Sequence, residues 1–199
     1  MSSGESGAHR FDLCGGHVAL DFANTLTRRQ DETPVDHLTC FADLVAFFEQ
    51  SGSIEAAAAR AARRWSEQHP GLAKRSLAAA IELREALYRT FSGMVESKAP
   101  SEADLRVINE WIARRRLDAS FAWAWADGPD APDAFLSPVV GGAVDLLTGE
   151  QRTRVKLCEA DDCVWLFLDS SKNKSRRWCD MNQCGNRVKA RRFYERSKR

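Results

Sequence analysis

Phe41, Leu44, Val45 and Phe48 recur at i, i+3, i+4 and i+7, the spacing that lines one face of an α-helix. Thr39 stands in position to cap that helix, and Ser51-Gly52 to end it. Ser53 then predicts the cap of a second helix, running through the alanine-rich stretch to about His69, where Pro70-Gly71 breaks the pattern. A long helix is predicted over 72–97, with Leu77, Ala80, Leu83, Leu87, Phe91 and Val95 in a wide apolar stripe. Ser101 and Asp104 resemble a capping box for a further helix, with Leu105, Ile108 and Ile112 inward and an end near Leu117. The alternation over 121–125 predicts a strand with one aromatic face, and Trp111, Trp123 and Trp125 are expected in the core. Ser137-Pro138 predicts a helix to about Leu147, stopped by Gly149. Near the start, Val18, Leu20 and Phe22 alternate with Ala19, Asp21 and Ala23 after Gly15-Gly16. That pattern predicts a short hairpin, or a strand running into a helix. Residues 1–10 are expected to be disordered.

Composition narrows the class. With 44% hydrophobic and 29% charged residues, the 199-residue chain has the balance of a soluble globular protein. It contains no apolar run of the roughly 18–20 residues that span a membrane. Its first ten residues lack the apolar core of a secretory signal, so a cytoplasmic location is expected. A net charge of +1 excludes an account based on bulk basicity, but the charges are unevenly placed. Residues 152–199 hold 14 Lys/Arg against 6 Asp/Glu, a net of +8, whereas residues 1–151 hold 15 against 22, a net of −7. Two modules are therefore predicted, an acidic helix-rich one over 1–150 and a basic one over 151–199, the latter suited to a polyanion.

Four of the six cysteines fall in the basic module. Cys158, Cys163, Cys179 and Cys184 are spaced C-x4-C-x15-C-x4-C, a pattern for one structural Zn²⁺ held by four thiolates. A strand-type run over 164–168 separates the pairs, a polar turn follows it, and a helical pattern follows the last cysteine. This is the order of a treble-clef-like finger. Fewer than 50 residues make a marginal core, which a metal would complete. Four thiolates around Zn²⁺ carry a formal −2, so some of Lys174, Arg176, Arg177 and Arg187 are expected to serve the site itself. Cys14 and Cys40 are isolated in sequence and are expected to be small apolar fillers.

The stretch from Arg154 to Lys198, with Ser175-Arg-Arg-Trp-Cys-Asp-Met181 and Cys184-Gly-Asn-Arg187, resembles the CGNR zinc-finger family. The segment GGHVALDFANTL, above all Leu20-Asp-Phe-Ala-Asn-Thr25, resembles the ABATE domain that precedes this finger in bacterial proteins. Together these resemblances imply zinc, and suggest nucleic acid and a role among stress-related transcriptional regulators.

On a helical wheel Ala190, Phe193 and Tyr194 cluster as a narrow stripe for the finger's core. Arg187, Lys189, Arg191, Arg192 and Arg196 spread over the remaining arc, and Lys172, Lys174, Arg176 and Arg177 in the preceding turn extend it. These nine residues are the predicted nucleic-acid face, with a solvated helix face as the alternative. Trp178 is expected to pack over the zinc site. In the first module, His17, Asp21, Asn24, Arg84 and Asn109 form a candidate ligand-binding cluster, with Asp21 as a possible partner for Arg84; internal fold-holding contacts are the alternative.

The chain is thus predicted to be a two-module α+β protein that binds DNA in transcription regulation, with a first module that senses a small ligand. The rival is an enzyme with His17, Asp21 and Asn24 at its centre and a purely structural zinc; a third reading is an RNA- or protein-binding adaptor. No membrane contact is expected. The sequence leaves the oligomeric state open, and no heptad seam is visible.

Overall fold

The computed structural model describes residues 9–120, 122–128 and 133–198. The predicted disorder of residues 1–10 falls largely outside that range, as does Phe121. The described chain is helical, with three separate two-stranded antiparallel pairs. The spine is α4 (Pro70–Val95), about 39 Å long at 1.5 Å per residue. Pro70 opens this helix at its first turn, where its missing N–H has no intrahelical role, so the predicted breaker is also a starter. Ala80, Leu83, Leu87 and Phe91 are buried along one face of α4. Packed against it are α1 (Val18–Ala23), α2 (Phe41–Gln50), α3 (Ala56–Gln68) and α5 (Glu102–Ile112).

The predicted α2 is present with Phe41, Leu44, Val45 and Phe48 inward, but Cys40 rather than Thr39 occupies the cap. The Asp43 carboxylate accepts from both Thr39 and Cys40 N–H groups, so the reach of this side chain fixes the helix start. Glu55, not Ser53, precedes α3. The helix α5 ends at Ile112 instead of near Leu117, because Arg115–Leu117 leaves to form β3. Its inward stripe is Asp104, Val107, Ile108 and Trp111, and Leu105 is exposed. Arg89 on α4 meets the Asp104 carboxylate in a 2.9 Å hydrogen bond, so this polar residue can share the buried stripe. β3 pairs with β4 (Trp123–Trp125) in the register Arg115↔Trp125, Arg116↔Ala124, Leu117↔Trp123. Trp125 is buried, whereas Trp123 is exposed, contrary to the expected aromatic core face. The helix α6 (Ser137–Thr148) follows and ends at Gly149 as predicted.

Residues 18–23 are a helix, not a strand. Ala19, Leu20, Phe22 and Ala23 are all buried, since α1 is covered by α4, by α6 and by the strand β6 (Leu166–Leu168). A helix covered on every side loses its 3.6-residue signature, and six residues are too few to show one. Gly16, at φ +73°, turns the chain into it.

β6 pairs with β5 (Val155–Leu157), and its alternating side chains serve two cores. Leu166 packs with α1 and α4, while Phe167 points into the cysteine cluster. The ABATE-like motif holds this hairpin. Asn24 acts as a strand edge towards Leu166, its Nδ2 donating to the Leu166 carbonyl at 2.8 Å and its Oδ1 accepting from the Leu166 N–H at 2.9 Å. The Gly15 carbonyl accepts from the Leu168 N–H at 2.7 Å, and the Gly15 N–H donates to Asp21 Oδ1 at 2.7 Å. A Cβ at Gly15 would lie 2.7 Å from that carboxylate oxygen, so the close approach requires glycine. Tyr88 on α4 adds a hydrogen bond to the Val164 carbonyl.

Arg84 is buried on α4, and its partner is Asp36 rather than Asp21. Two hydrogen bonds, of 2.6 and 2.8 Å, join the guanidinium to Asp36, and Nε donates to Glu85 at 2.8 Å. Asp36 belongs to β2 (Val35–Asp36), which pairs with β1 (Leu26–Thr27) after the polar loop. Arg29 clasps the other side of Glu85 and lies over the Tyr88 ring. Removing one member of such a buried network leaves charge uncompensated, and Arg84→Ala is expected to cost about 3–5 kcal/mol, read from the urea midpoint.

Burial pushes the Asp21 carboxyl up to about 6, against the smaller opposing effect of the Gly15 N–H bond. The folded protein then keeps a proton that the unfolded chain releases near pH 3.8, so Asp21's contribution is intact below that pH and is lost as pH rises through 6. Asp21→Asn keeps the acceptor without the charge. Its stability relative to the parent protein should rise by roughly 1–1.5 kcal/mol between pH 5 and pH 7.5. A constant difference across paired denaturation curves would refute this.

Candidate metal centre and basic helix

Each cysteine is delivered by a turn whose backbone bonds are internally met. Cys158 follows β5 and donates its N–H to the Trp165 carbonyl at 2.8 Å, and the chain doubles back so that the Cys163 N–H reaches the Ala160 carbonyl. The Glu159 N–H donates to the Arg177 carbonyl, tying the first knuckle to the second. Past Cys179, Asp180 caps a single wide turn over Met181–Gly185 through the Gln183 N–H. That turn carries Cys184 and leads into α7 (Asn186–Ser197). The strands β5 and β6 flank the first knuckle, which forms the turn of their hairpin, whereas the spacing predicted a hairpin between the two knuckles; the second knuckle leads into the helix as expected.

The four sulfurs lie within 4.8 Å of one another, with 3.7 Å between Cys163 and Cys179 and 3.6 Å between Cys179 and Cys184. Zn–S bonds of about 2.3 Å set the sulfur–sulfur edge of a tetrahedron near 3.8 Å. Four thiols at that separation, three of them buried, fit one structural Zn²⁺. Bound there, zinc cross-links the two knuckles.

The surrounding cations divide the labour. Arg187 brings Nη2 to 3.3 Å from Cys184 Sγ and pairs with Asp162, so it offsets the thiolate charge as expected. Arg176 is half-buried and donates to the carbonyls of Trp178, Cys179 and Cys14 while lying over the Phe167 ring, a structural clamp. Trp178 packs on the cluster, against Gly185.

Two contributors were not singled out from the sequence. Cys14 packs against the cysteine cluster, brought there because the chain before Gly15 runs beside β6. Asp169, fully buried after β6, accepts from Lys156 Nζ at 2.6 Å, from the Ser171 N–H and hydroxyl, and from the Arg176 N–H. Burial alone would raise its carboxyl, but these donors hold it well below the usual carboxylate range. The run Asp169-Ser-Ser171 is an Asx-type turn and carried a local signal; Cys14 carried none.

The outer surface of α7 departs from expectation. Phe193 and Tyr194 are 63% and 68% exposed, and Ala190 is exposed too. Phe167, Trp165 and Trp178 already fill the finger's small core, so Val188 alone of the described α7 residues packs on it. Of the nine basic candidates, Lys172, Lys174, Lys189 and Arg196 are exposed. Arg177 pairs with Glu159, Arg187 with Asp162 and Arg191 with Asp161, all near the surface. The Arg192 side chain lies outside the described set.

The five candidate ligand residues do not converge on a site. Asn109 is exposed on α5, and Asp21, Asn24 and Arg84 are engaged in the contacts above. His17 caps α1, accepting from the Ala19 N–H at 3.3 Å, and burial lowers its pKa despite the opposing pull of Asp145. The enzyme reading centred on His17, Asp21 and Asn24 loses its free polar groups to the fold.

Cys184→Ser should drop zinc content well below one per chain. Amide protection should disappear over 176–190 and persist at Leu166, which the helical core holds. Unchanged zinc content and melting would contradict a four-cysteine centre.

Among the described residues no helix is long and apolar enough to cross a membrane. No curated protein matches the chain. Family models match at both ends of the fold. Residues 154–197 match the CGNR zinc finger, and residues 16–150 match ABATE, described as "Putative stress-induced transcription regulator". Neither is an enzyme family. With the ABATE match spanning most of the chain and the finger match enclosing all four clustered thiols, the chain belongs to the ABATE family and carries a CGNR zinc finger.

Proposed function

We propose that this protein is a zinc-dependent DNA-binding transcriptional regulator whose finger supplies the contact and whose helical part, within residues 1–150, senses a small ligand. The observation that carries the reading is α7, a helix dense in Lys and Arg that stands clear of both cores beyond Val188. Lys172, Lys174 and Lys189 are exposed donors for phosphate oxygens. Arg177, Arg187 and Arg191 are half-exposed in ion pairs with acidic side chains of the first knuckle. Such surface pairs are worth only about 0–1 kcal/mol, so a phosphate can replace the carboxylate at little cost. Arg192 and Arg196 extend the same helix. Arg176 contributes by orienting the second knuckle rather than by reaching outward.

Zinc's part is mechanical, because a closed four-thiolate centre fixes the start of α7 and leaves no open coordination position. Gly15, Asp21 and Asn24 anchor the β5–β6 hairpin, which carries the first knuckle, to the helical body. A change of packing around α1 is thereby passed to the finger, a route from ligand to DNA contact.

The exposed Phe193 and Tyr194 favour a second reading, single-stranded nucleic acid held by base stacking. Titration of zinc-loaded protein with duplex DNA, single-stranded DNA and RNA over a salt series separates the two. Duplex binding should weaken with a log–log slope of about −0.9 per phosphate contacted. Lys189→Glu with Arg191→Glu should lower affinity at least roughly tenfold and flatten the slope. Absence of duplex binding at low salt would overturn the proposal, and stacking-dependent binding to single strands lost in Tyr194→Ala would establish the second reading.

A further inference from the structure

The helical body contains a cavity of about 1050 Å³ between α3, the β3–β4 pair and α6. Its volume is at the upper end of the range for small-molecule sites. Phe41, Ile54, Trp65 and Phe135 supply an aromatic and aliphatic wall, and Trp123 and Trp125 close the hairpin side. None of the five polar residues singled out from the sequence lines it.

Among the described residues, one cation faces this space without a partner. Arg115 makes no hydrogen bond or ion pair among the described residues, and its Nε is buried and unsatisfied. Its guanidinium lies over the Trp123 ring at 4.8 Å. The nearby carboxylates are committed elsewhere. Asp133 accepts from Arg114 and from Trp125 Nε1, and Asp118 from the Ser120 N–H and hydroxyl and the Ala122 N–H. Asp145 remains at the exposed rim, beyond ion-pairing distance. Burial lowers the Arg115 pKa, against the pull of Asp145, although the group stays charged.

The fold makes room for this guanidinium at a cost. Gly141 and Gly142 lie inside α6, where each glycine is disfavoured by about 1 kcal/mol relative to alanine. A Cβ at Gly141 would come within 2.7 Å of Arg115 Nη2, and one at Gly142 within 2.4 Å of the His17 ring. A helix that gives up a side chain at Gly141 to seat an arginine with no partner among the described residues, beside an aromatic cavity, has the makings of an anion site; Gly142 makes room for His17 instead. A carboxylate accepts the two parallel N–H bonds that a guanidinium offers, and Trp123 holds the fork planar.

We propose that this cavity binds an aromatic carboxylic acid, its ring system against the wall formed by Trp65, Phe41 and Phe135 and its carboxylate on Arg115. This rests on the reading that the helical part senses a small ligand, and is independent of whether the finger binds DNA. Occupancy would brace α6, which packs directly on α1, whose Asp21 and whose C-cap Asn24 hold the finger's hairpin.

Naphthalene-2-carboxylate and its neutral carboxamide are suitable probes, read on the zinc-loaded full chain by tryptophan quenching and calorimetry. The acid should bind roughly tenfold or more tightly than the amide. Arg115→Met should abolish that preference, and Gly141→Ala should weaken it by displacing the guanidinium. Asp145→Asn should tighten the acid, since it removes a like charge from the rim. Zinc content should match the parent in each variant, and melting should match it in Arg115→Met, because among the described residues the Arg115 side chain makes no hydrogen bond or ion pair that the fold needs. Equal affinity for acid and amide would overturn the acid assignment while leaving a neutral-ligand site and the sensing reading intact. No binding of either at about 1 mM would overturn the site altogether. The salt series with DNA is unaffected by both outcomes, so the finger's function is judged separately.

Discussion

Asn24 sits at the end of α1 and behaves as one more residue of a β-sheet. Its carboxamide meets both the N–H and the carbonyl of Leu166, which β6 would otherwise present unpaired to the helical core. A strand edge buried against helices is normally expensive, because each unmet backbone group costs about 1–3 kcal/mol. With that edge satisfied, Leu166 can enter the core of α1 and α4 while Phe167, one residue on, faces the cysteines. The alternation of a three-residue strand thereby joins two cores. Gly15 and Asp21 secure the same joint from the other side, so the ABATE-like motif is the seam between the helical body and the finger.

That seam explains why acidic and basic halves coexist in one chain. The finger is too small to supply much apolar burial of its own, and it borrows a wall from the helical body through β5 and β6. What it does not bury is α7. The thiolate cluster and its aromatic neighbours occupy the available interior, so the helix after Val188 has nothing left to pack on. The charge of the finger is tempered locally by Glu159, Asp161 and Asp162, which lie in the first knuckle and hold Arg177 and, on α7, Arg191 and Arg187 in defined directions without neutralising the exposed lysines.

The helical body holds two arginines in different ways, Arg84 fully buried and Arg115 with only its Nε buried. Arg84 is surrounded by Asp36 and Glu85 and serves as a structural tie. Arg115 has an aromatic ring, the bare Gly141 and an open cavity, and its charge is unanswered among the described residues. The first arrangement closes a network and the second leaves a place for an anion. Unpaired buried charge is penalised heavily enough that the distinction separates architecture from recognition.

The sequence by itself determined the local and covalent features. The C-x4-C pairs specify a tetrathiolate, since that spacing turns two sulfurs to one side whatever surrounds them. The stripes of α2 and α4, the stop at Gly52 and the stop at Gly149 follow from periodicity and backbone preference. Tertiary structure decided what depends on distant partners. α1 is read as a strand from its alternation because a helix buried on every side shows no polar face. Arg84 found Asp36 across 48 residues rather than Asp21. Cys14 reached the finger because its neighbour Gly15 bonds to Leu168 of β6, and Phe193 and Tyr194 stayed outside because other aromatics had filled the core. The cavity, too, is assembled from α3, β3, β4 and α6, none of which carries a local mark of it. Short-range propensity is written residue by residue, whereas burial and charge pairing depend on which surfaces meet once the chain has folded.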